Sequence, residues 1–215
     1  MNPKINSPLD NFEEIFSRNV SGIRAALRGK KIGIAGCGGL GSNLAVNLVR
    51  MGADNLVLVD SDKIEPSNLN RQYYFWDQIG SLKAKALEEN LKRIHPLITC
   101  ECHSVRINSS NLQSIFSGCE VVAECFDGAG DKARLVEDLV NKGIPVVAVS
   151  GVAGKNSAEA IKIKRPIKNL ILIGDDASPD CSEGLISPRV SIAAAHQAWA
   201  IMNFLSEGEK NESDR

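Results

Sequence analysis

KKIGIAGCGGLGSNLAVNLVRMGADNLVLVD, residues 30–60, is the stretch that decides the fold. KKIGIAG (30–36) is a short apolar run ending in glycines, which reads as a buried parallel strand. A helical pattern follows at once over 40–51, with Leu40, Leu44, Val46, Leu48 and Met51 as its apolar positions and Gly52 as its stop. NLVLVD (55–60) is a second buried strand. Strand, glycine turn, helix and strand within about 30 residues make a βαβ unit. Gly36, Gly38 and Gly41 satisfy G-x-G-x-x-G between the strand and the helix. Such a loop needs one glycine for the tight turn, one for close approach of a phosphate and one for helix–strand packing. The N–H groups opening the helix favour an anion. Asp60 falls nineteen residues after Gly41, where an acid accepts from ribose hydroxyls.

The rhythm continues outward. A weak helical pattern spans 15–28, and a stronger one 81–94, before Pro96. Strands are expected at 98–107, 119–126 and 144–151, with helices at 111–118 and 130–142 between them. This alternation predicts an α/β, Rossmann-like, doubly wound and mostly parallel sheet with helices on both faces. After Gly154 the pattern changes. AEAIKIKRP and NLILIG read as two strands of a hairpin or a short antiparallel C-terminal extension. A turn-rich loop covers 174–189, and an apolar helix covers 190–205. Residues 1–14 read as an N-terminal arm, 15–205 as a single domain and 206–215 as a disordered tail.

Composition removes several classes. The 215 residues are 43% hydrophobic and 24% charged, which excludes a disordered or collagen-like chain. The net charge of −1 gives no global reason to expect nucleic acid. The one basic run, KIKRPIK (162–168), reads as an edge strand protected by lysines. No run approaches the roughly 18 apolar residues of a membrane span, and the N-terminus lacks the apolar segment of a signal peptide. A cytoplasmic chain is expected. None of the six cysteines forms C-x-x-C, so no zinc is expected and the thiols read as reduced and structural. His95, His103 and His196 read as structural.

The glycine loop does not choose between NAD and ATP, since both present ribose and phosphates. The segment 61–79 is long for a strand-to-helix connection and stands where a site belongs. Arg71 is followed twelve residues later by Lys83. Two cations at one phosphate site suit a triphosphate or a leaving pyrophosphate. A nicotinamide-dependent oxidoreductase has no need of them.

GCGGLGS (36–42), Asp60, SNLNRQ (67–72) and GSLK (80–83) together resemble the ubiquitin-activating-enzyme superfamily, whose bacterial members include the molybdopterin and thiamine sulfur-carrier adenylyltransferases. The resemblance runs over roughly residues 16–155. With GLISPRVSIAAAHQA (184–198), it is most similar to compact members of the ThiF, or thiamine, branch. It implies an adenylyltransferase in which Gly36, Gly38, Gly39, Gly41 and Asp60 bind ATP, and Asn68, Arg71, Gln72 and Lys83 surround its phosphates. It implies that Asp127, in ECFDG, holds Mg²⁺, although Gly128 stands where the family usually has asparagine. Arg134 fits a structural arginine of the family. Arg18 fits an arginine that reaches the ATP of a neighbouring subunit, so a homodimer is expected. The implied partner is a small ubiquitin-like sulfur carrier ending in Gly-Gly, whose terminal carboxylate is adenylylated for thiamine assembly. Some relatives use a cysteine before the last helix, and Cys181 is the candidate thiol, though Asp180 and Glu183 disfavour a thiolate there. Three alternatives remain: a tRNA threonylcarbamoyladenosine dehydratase of the same superfamily, an NAD(P)-dependent oxidoreductase, and an inactive scaffold.

Overall fold

The computed structural model describes residues 12–175 and 183–213. Seven strands form one sheet in the order β3-β2-β1-β4-β5-β7-β6. They are β1 (Lys31–Ala35), β2 (Asn55–Val59), β3 (Thr99–His103), β4 (Val121–Glu124), β5 (Val146–Ser150), β6 (Lys162–Ile167) and β7 (Leu170–Gly174). Every neighbouring pair is parallel except β6 with β7. The Rossmann-like, mostly parallel architecture expected from the sequence is therefore present. The C-terminal extension has an added feature. β7 returns to lie parallel to β5, and β6 is left as the antiparallel edge.

Strand alternation divides the interior in two. Ile32, Ile34, Leu56 and Leu58 face one core with α1 (Ile23–Leu27), α2 (Gly39–Met51), α3 (Lys83–Lys92) and α6 (Ser187–Ser213). Ala35, Val57, Val59 and Val122 face the other with α4 (Leu112–Ile115) and α5 (Ala129–Asn141). Gly33 is glycine because the Phe116 ring occupies the place of a side chain, 2.7 Å from where its Cβ would stand.

Three expectations shift. The helical pattern at 15–28 breaks into a 3-10 turn at Phe12–Phe16 and the short α1, separated by Gly22 at φ 85°. Residues 12–14 of the expected arm thus belong to a folded turn whose last residue, Phe16, is buried. The strand expected over 98–107 ends at His103. α6 runs to Ser213, into the stretch read as a disordered tail. Extending an already packed helix avoids the nucleation cost, and Glu and Lys are good helix formers.

Candidate active site

The chain runs β1-β2-β3 in one direction and then crosses back to place β4 on the other side of β1. Ligands in open α/β sheets bind beyond the strand carboxyl ends at such a reversal. A cavity of about 1090 Å³ opens there, and the glycine loop, the 61–83 segment, the end of β4 and the end of β5 all reach it.

The glycine loop is built as its spacing requires. Gly36 turns at φ 97°, and a Cβ there would stand 3.0 Å from Cys125 O. A Cβ on Gly41 would collide with the Gly36 carbonyl oxygen. A Cβ on Gly39 would press on Val190 at 3.0 Å. Gly38 differs, because the nearest atom to its Cβ position is Gln72 Nε2 at 3.7 Å. Gly38 therefore leaves open space on the cavity wall at the N-terminus of α2, as a phosphate cradle does.

Asp60 follows β2 on the cavity wall. Its carboxylate accepts from Cys37 N–H at 2.7 Å and Asp62 N–H at 2.8 Å. Burial raises its pKa, and those two backbone donors oppose the rise. Behind it, the Tyr74 hydroxyl donates to Cys37 O at 2.7 Å. The cradle is thus fixed before any ligand arrives.

The 61–83 segment folds back on itself. Lys63 bridges Leu82, Ile64 N–H donates to Ser81 O, and Lys83 N–H donates to Asp62 O. Asn68 is buried, and its Oδ1 accepts from Glu65 N–H at 3.1 Å. It lies outside the cavity wall and shapes the turn that presents Arg71 and Gln72. Ser42 and Asn43 of α2 tie that turn to the glycine loop, through Tyr73 N–H to Ser42 Oγ and Asn43 Nδ2 to both Gly39 O and Arg71 O. Arg71, Gln72 and Lys83 all line the cavity. Gln72 is buried with its Oε1 unpartnered, an acceptor awaiting a donor. The Lys83 ammonium lies 2.9 Å from Asp62 Oδ2.

Asp127 and Arg134 stand on the same cavity wall, both exposed. Sequence reasoning missed the charged pair beneath them. Glu124, at the end of β4, is fully buried and bound to the Lys132 ammonium at 2.7 Å. Burial raises the Glu124 pKa, and the ammonium opposes it. The available signal was one acid closing an apolar strand, since acids are almost never fully buried unless paired. It also missed Arg189 in α6. That buried guanidinium donates to Asp175 Oδ2 at 3.0 Å and to the Asn156 and Ser157 carbonyls at 2.6 and 2.8 Å, and so anchors the loop after β5. No local pattern in the sequence marks it.

Three expected site residues, Gly41, Asn68 and Arg18, do not line the cavity. Arg18 is exposed and lies off its wall. Cys181 lies outside the described residues. The five described cysteines are free, and burial pushes the thiols of Cys100, Cys102 and Cys119 up to about 12. Among the described residues no three His, Cys, Asp or Glu side chains gather as a metal cage.

Comparison with known proteins places this geometry. The adenylyltransferase and sulfurtransferase UBA4 of Yarrowia lipolytica is 33% identical over 189 residues, 84% of this chain and 47% of the relative. The adenylyltransferase and sulfurtransferase MOCS3 of Caenorhabditis briggsae is 34% identical over 188 residues, again 84% and 47%. The chain spans about half the length of these curated relatives. Among solved structures, E. coli tRNA N6-threonylcarbamoyladenosine dehydratase, TcdA, in complex with ATP shares the fold at a TM-score of 0.84 and 18% identity, over 94% of this chain and 96% of that one. E. coli MccB with ATP does so at 0.70 and 20%, over 86% and 58%. The ThiF family model matches residues 12–214, and the chain belongs to that family.

Proposed function

We propose that this chain adenylylates the C-terminal glycine carboxylate of a small ubiquitin-like carrier protein with ATP, releasing pyrophosphate. The observation that carries this is the convergence of Gly38, Asp60, Arg71, Gln72, Lys83 and Asp127 on one cavity, in a member of the ThiF family. The names of the curated relatives, adenylyltransferase and sulfurtransferase, support the activity. The residues fit ATP. Gly38 leaves room for phosphate, Asp60 keeps acceptor capacity for the ribose hydroxyls, and two cations reach the same space.

In the reaction, a carrier carboxylate oxygen bonds to the α-phosphorus as the bond to the bridging oxygen of pyrophosphate breaks. The carboxylate is already ionised at neutral pH, so no general base is needed. Arg71 and Lys83 offset the charge that builds on the phosphates and the leaving group. Lys83 exchanges part of its contact with the exposed Asp62 for phosphate. Mg²⁺ is commonly held by one or two carboxylates together with substrate phosphates. Asp127 would hold it here, and the ion would neutralise phosphate charge. Asn68 acts on the phosphates through the turn it shapes.

The finer assignments belong to the same proposal. The carrier is a sulfur carrier ending in Gly-Gly that serves thiamine assembly in the cytoplasm. The working form is a homodimer in which Arg18 serves the neighbour's cavity. The outward stripe of α6, with Ile192, Ala195, half-exposed Trp199 and Met202, offers an apolar face for a second copy. Among the described residues no helix is long and apolar enough to cross a membrane.

ATP–pyrophosphate exchange, with and without a purified Gly-Gly carrier, tests the reading. Carrier-dependent exchange is expected, and no exchange with carrier would overturn it. One observation favours a second reading, activation of a carboxylate on tRNA. Lys162, Lys164, Arg165 and Lys168 are exposed on or beside edge strand β6, and Lys164 also lines the cavity. ATP turnover on adding tRNA, without exchange on adding carrier, would establish that reading.

A further inference from the structure

Glu124 ends an otherwise apolar strand and is fully buried. Burying a carboxylate costs hydration that an ion pair seldom returns in full, so the pair is weak evidence of stabilisation. Its geometry is specific. Oε1 accepts from Phe126 N–H at 2.6 Å, and Oε2 accepts from the Lys132 ammonium at 2.7 Å. The same ammonium donates to Val149 O at 2.7 Å. One cation therefore joins the end of β4 to the end of β5. Three residues beyond β4 comes Asp127, and immediately beyond β5 come Gly151 and Val152; all three stand on the cavity wall, as Lys132 does. From the opposite face of the sheet, buried Gln197 of α6 donates to Glu124 O at 3.1 Å and to Val147 O at 3.0 Å. The two strand ends are clamped from both sides at the point where the cavity begins.

We infer that Lys132 and Glu124 are positioning residues that hold the Phe126–Asp127 turn against the end of β5 and thereby couple Mg²⁺ binding to nucleotide binding. The inference rests on the proposal that Asp127 is the metal-bearing carboxylate. Neither residue has to touch the nucleotide. With the ammonium gone, the Glu124 carboxylate keeps only its backbone donors at Phe126 and Val149, the hold on the turn loosens, and Asp127 is no longer held facing the phosphates.

The experiment is equilibrium binding of ATP to the full chain by titration calorimetry, with and without Mg²⁺. In the unmodified chain Mg²⁺ is expected to tighten ATP binding about tenfold, within the usual range of coupling between two ligands. Lys132→Met alone leaves an uncompensated buried acid, so the main variant is the double one, Glu124→Gln with Lys132→Met. It is expected to bind metal-free ATP within about twofold of the unmodified chain and to lose the tightening by Mg²⁺. Lys132→Arg, which keeps a cation between the two acceptors, is expected to restore most of it. Glu124→Gln alone keeps the volume and one acceptor, is expected to leave about threefold tightening, and carries the test if the double variant does not fold. A lowered melting temperature with the tenfold ratio intact would show a purely structural pair and overturn the inference. Asp127→Asn separates the two readings. If Mg²⁺ still tightens ATP binding in that variant, Asp127 is not the metal carboxylate and the inference falls with it. If the Mg²⁺ ratios follow expectation while carrier-dependent exchange is absent, the adenylylation reading fails and the positioning role stands.

Discussion

The two ends of the sheet bury titratable groups in opposite ways. At the carboxyl end, Asp60 is held by two backbone N–H groups and Glu124 by an ammonium and an N–H, and both sit at the edge of a large cavity. At the amino end, His95 is 2% exposed and neither ring nitrogen hydrogen-bonds another residue. It lies beneath Phe12 and Phe16, with ring centroids at 4.4 and 5.7 Å, beside Arg24. A buried charge supplied with partners fixes geometry, whereas His95, away from the cavity and packed between aromatic rings, is held by packing. The difference teaches that the carboxyl end is organised to hold a charged ligand and the amino end to close the fold over the N-terminal segment.

The largest effect that would break this comparison lies in the cationic loop. Lys83→Ala and Arg71→Ala are each expected to slow ATP–pyrophosphate exchange by roughly 10³-fold, about 4 kcal/mol at the upper end for removing one preorganised charge. ATP affinity is expected to fall much less, because the charge develops as pyrophosphate leaves. Exchange at the unmodified rate in either variant would show that the cavity cations do not serve the reaction.

The glycines sharpen it next. Gly41→Ala places a methyl on the Gly36 carbonyl oxygen, and a loss of about 3 kcal/mol of stability is expected in chemical denaturation. Gly38→Ala meets nothing closer than 3.7 Å. It is expected to leave the melting temperature unchanged and to weaken ATP binding about tenfold, roughly 1.4 kcal/mol. If the two variants behaved alike, the cradle would be a packing turn and nothing more.

The same contrast explains what was legible in the sequence. Gly36, Gly38, Gly41 and Asp60 are set by local spacing within one βαβ unit, so a linear reading finds them. Arg71 and Lys83 needed the family resemblance, because a cation twelve residues from another carries no geometry until the 61–83 segment folds back at Lys63 and Leu82. Asn68 was assigned to the phosphates by motif, yet its side chain holds Glu65 N–H. Glu124, Lys132 and Arg189 take partners on other elements, and the sequence does not say which acid meets which base. Gln197 sits among Ala193, Ala194, Ala200 and Ile201 on the buried face of α6, a polar exception that periodicity could have exposed.

The smallest expected effect belongs to His95, and its sign follows from burial. Burial lowers its pKa below the ordinary 6.5, its own backbone and Asp54 oppose the shift, and Arg24 adds slightly to it. As pH falls through 6.5 the unfolded chain takes up a proton that folded His95 refuses, so its contribution to stability is complete above 6.5 and is lost as pH falls toward the folded value. The slope from one such group cannot exceed about 1.4 kcal/mol per pH unit. His95→Phe keeps a flat ring between Phe12 and Phe16 and has no proton to accept. Denaturation of the two proteins from pH 7.5 to 5 is therefore expected to give a shallower decline for the variant, with the gap opening only below about pH 6.5. Parallel curves would mean that His95 finds a partner when charged. The amino end would then be organised like the carboxyl end, and the division between a ligand-holding end and a packing end would fail.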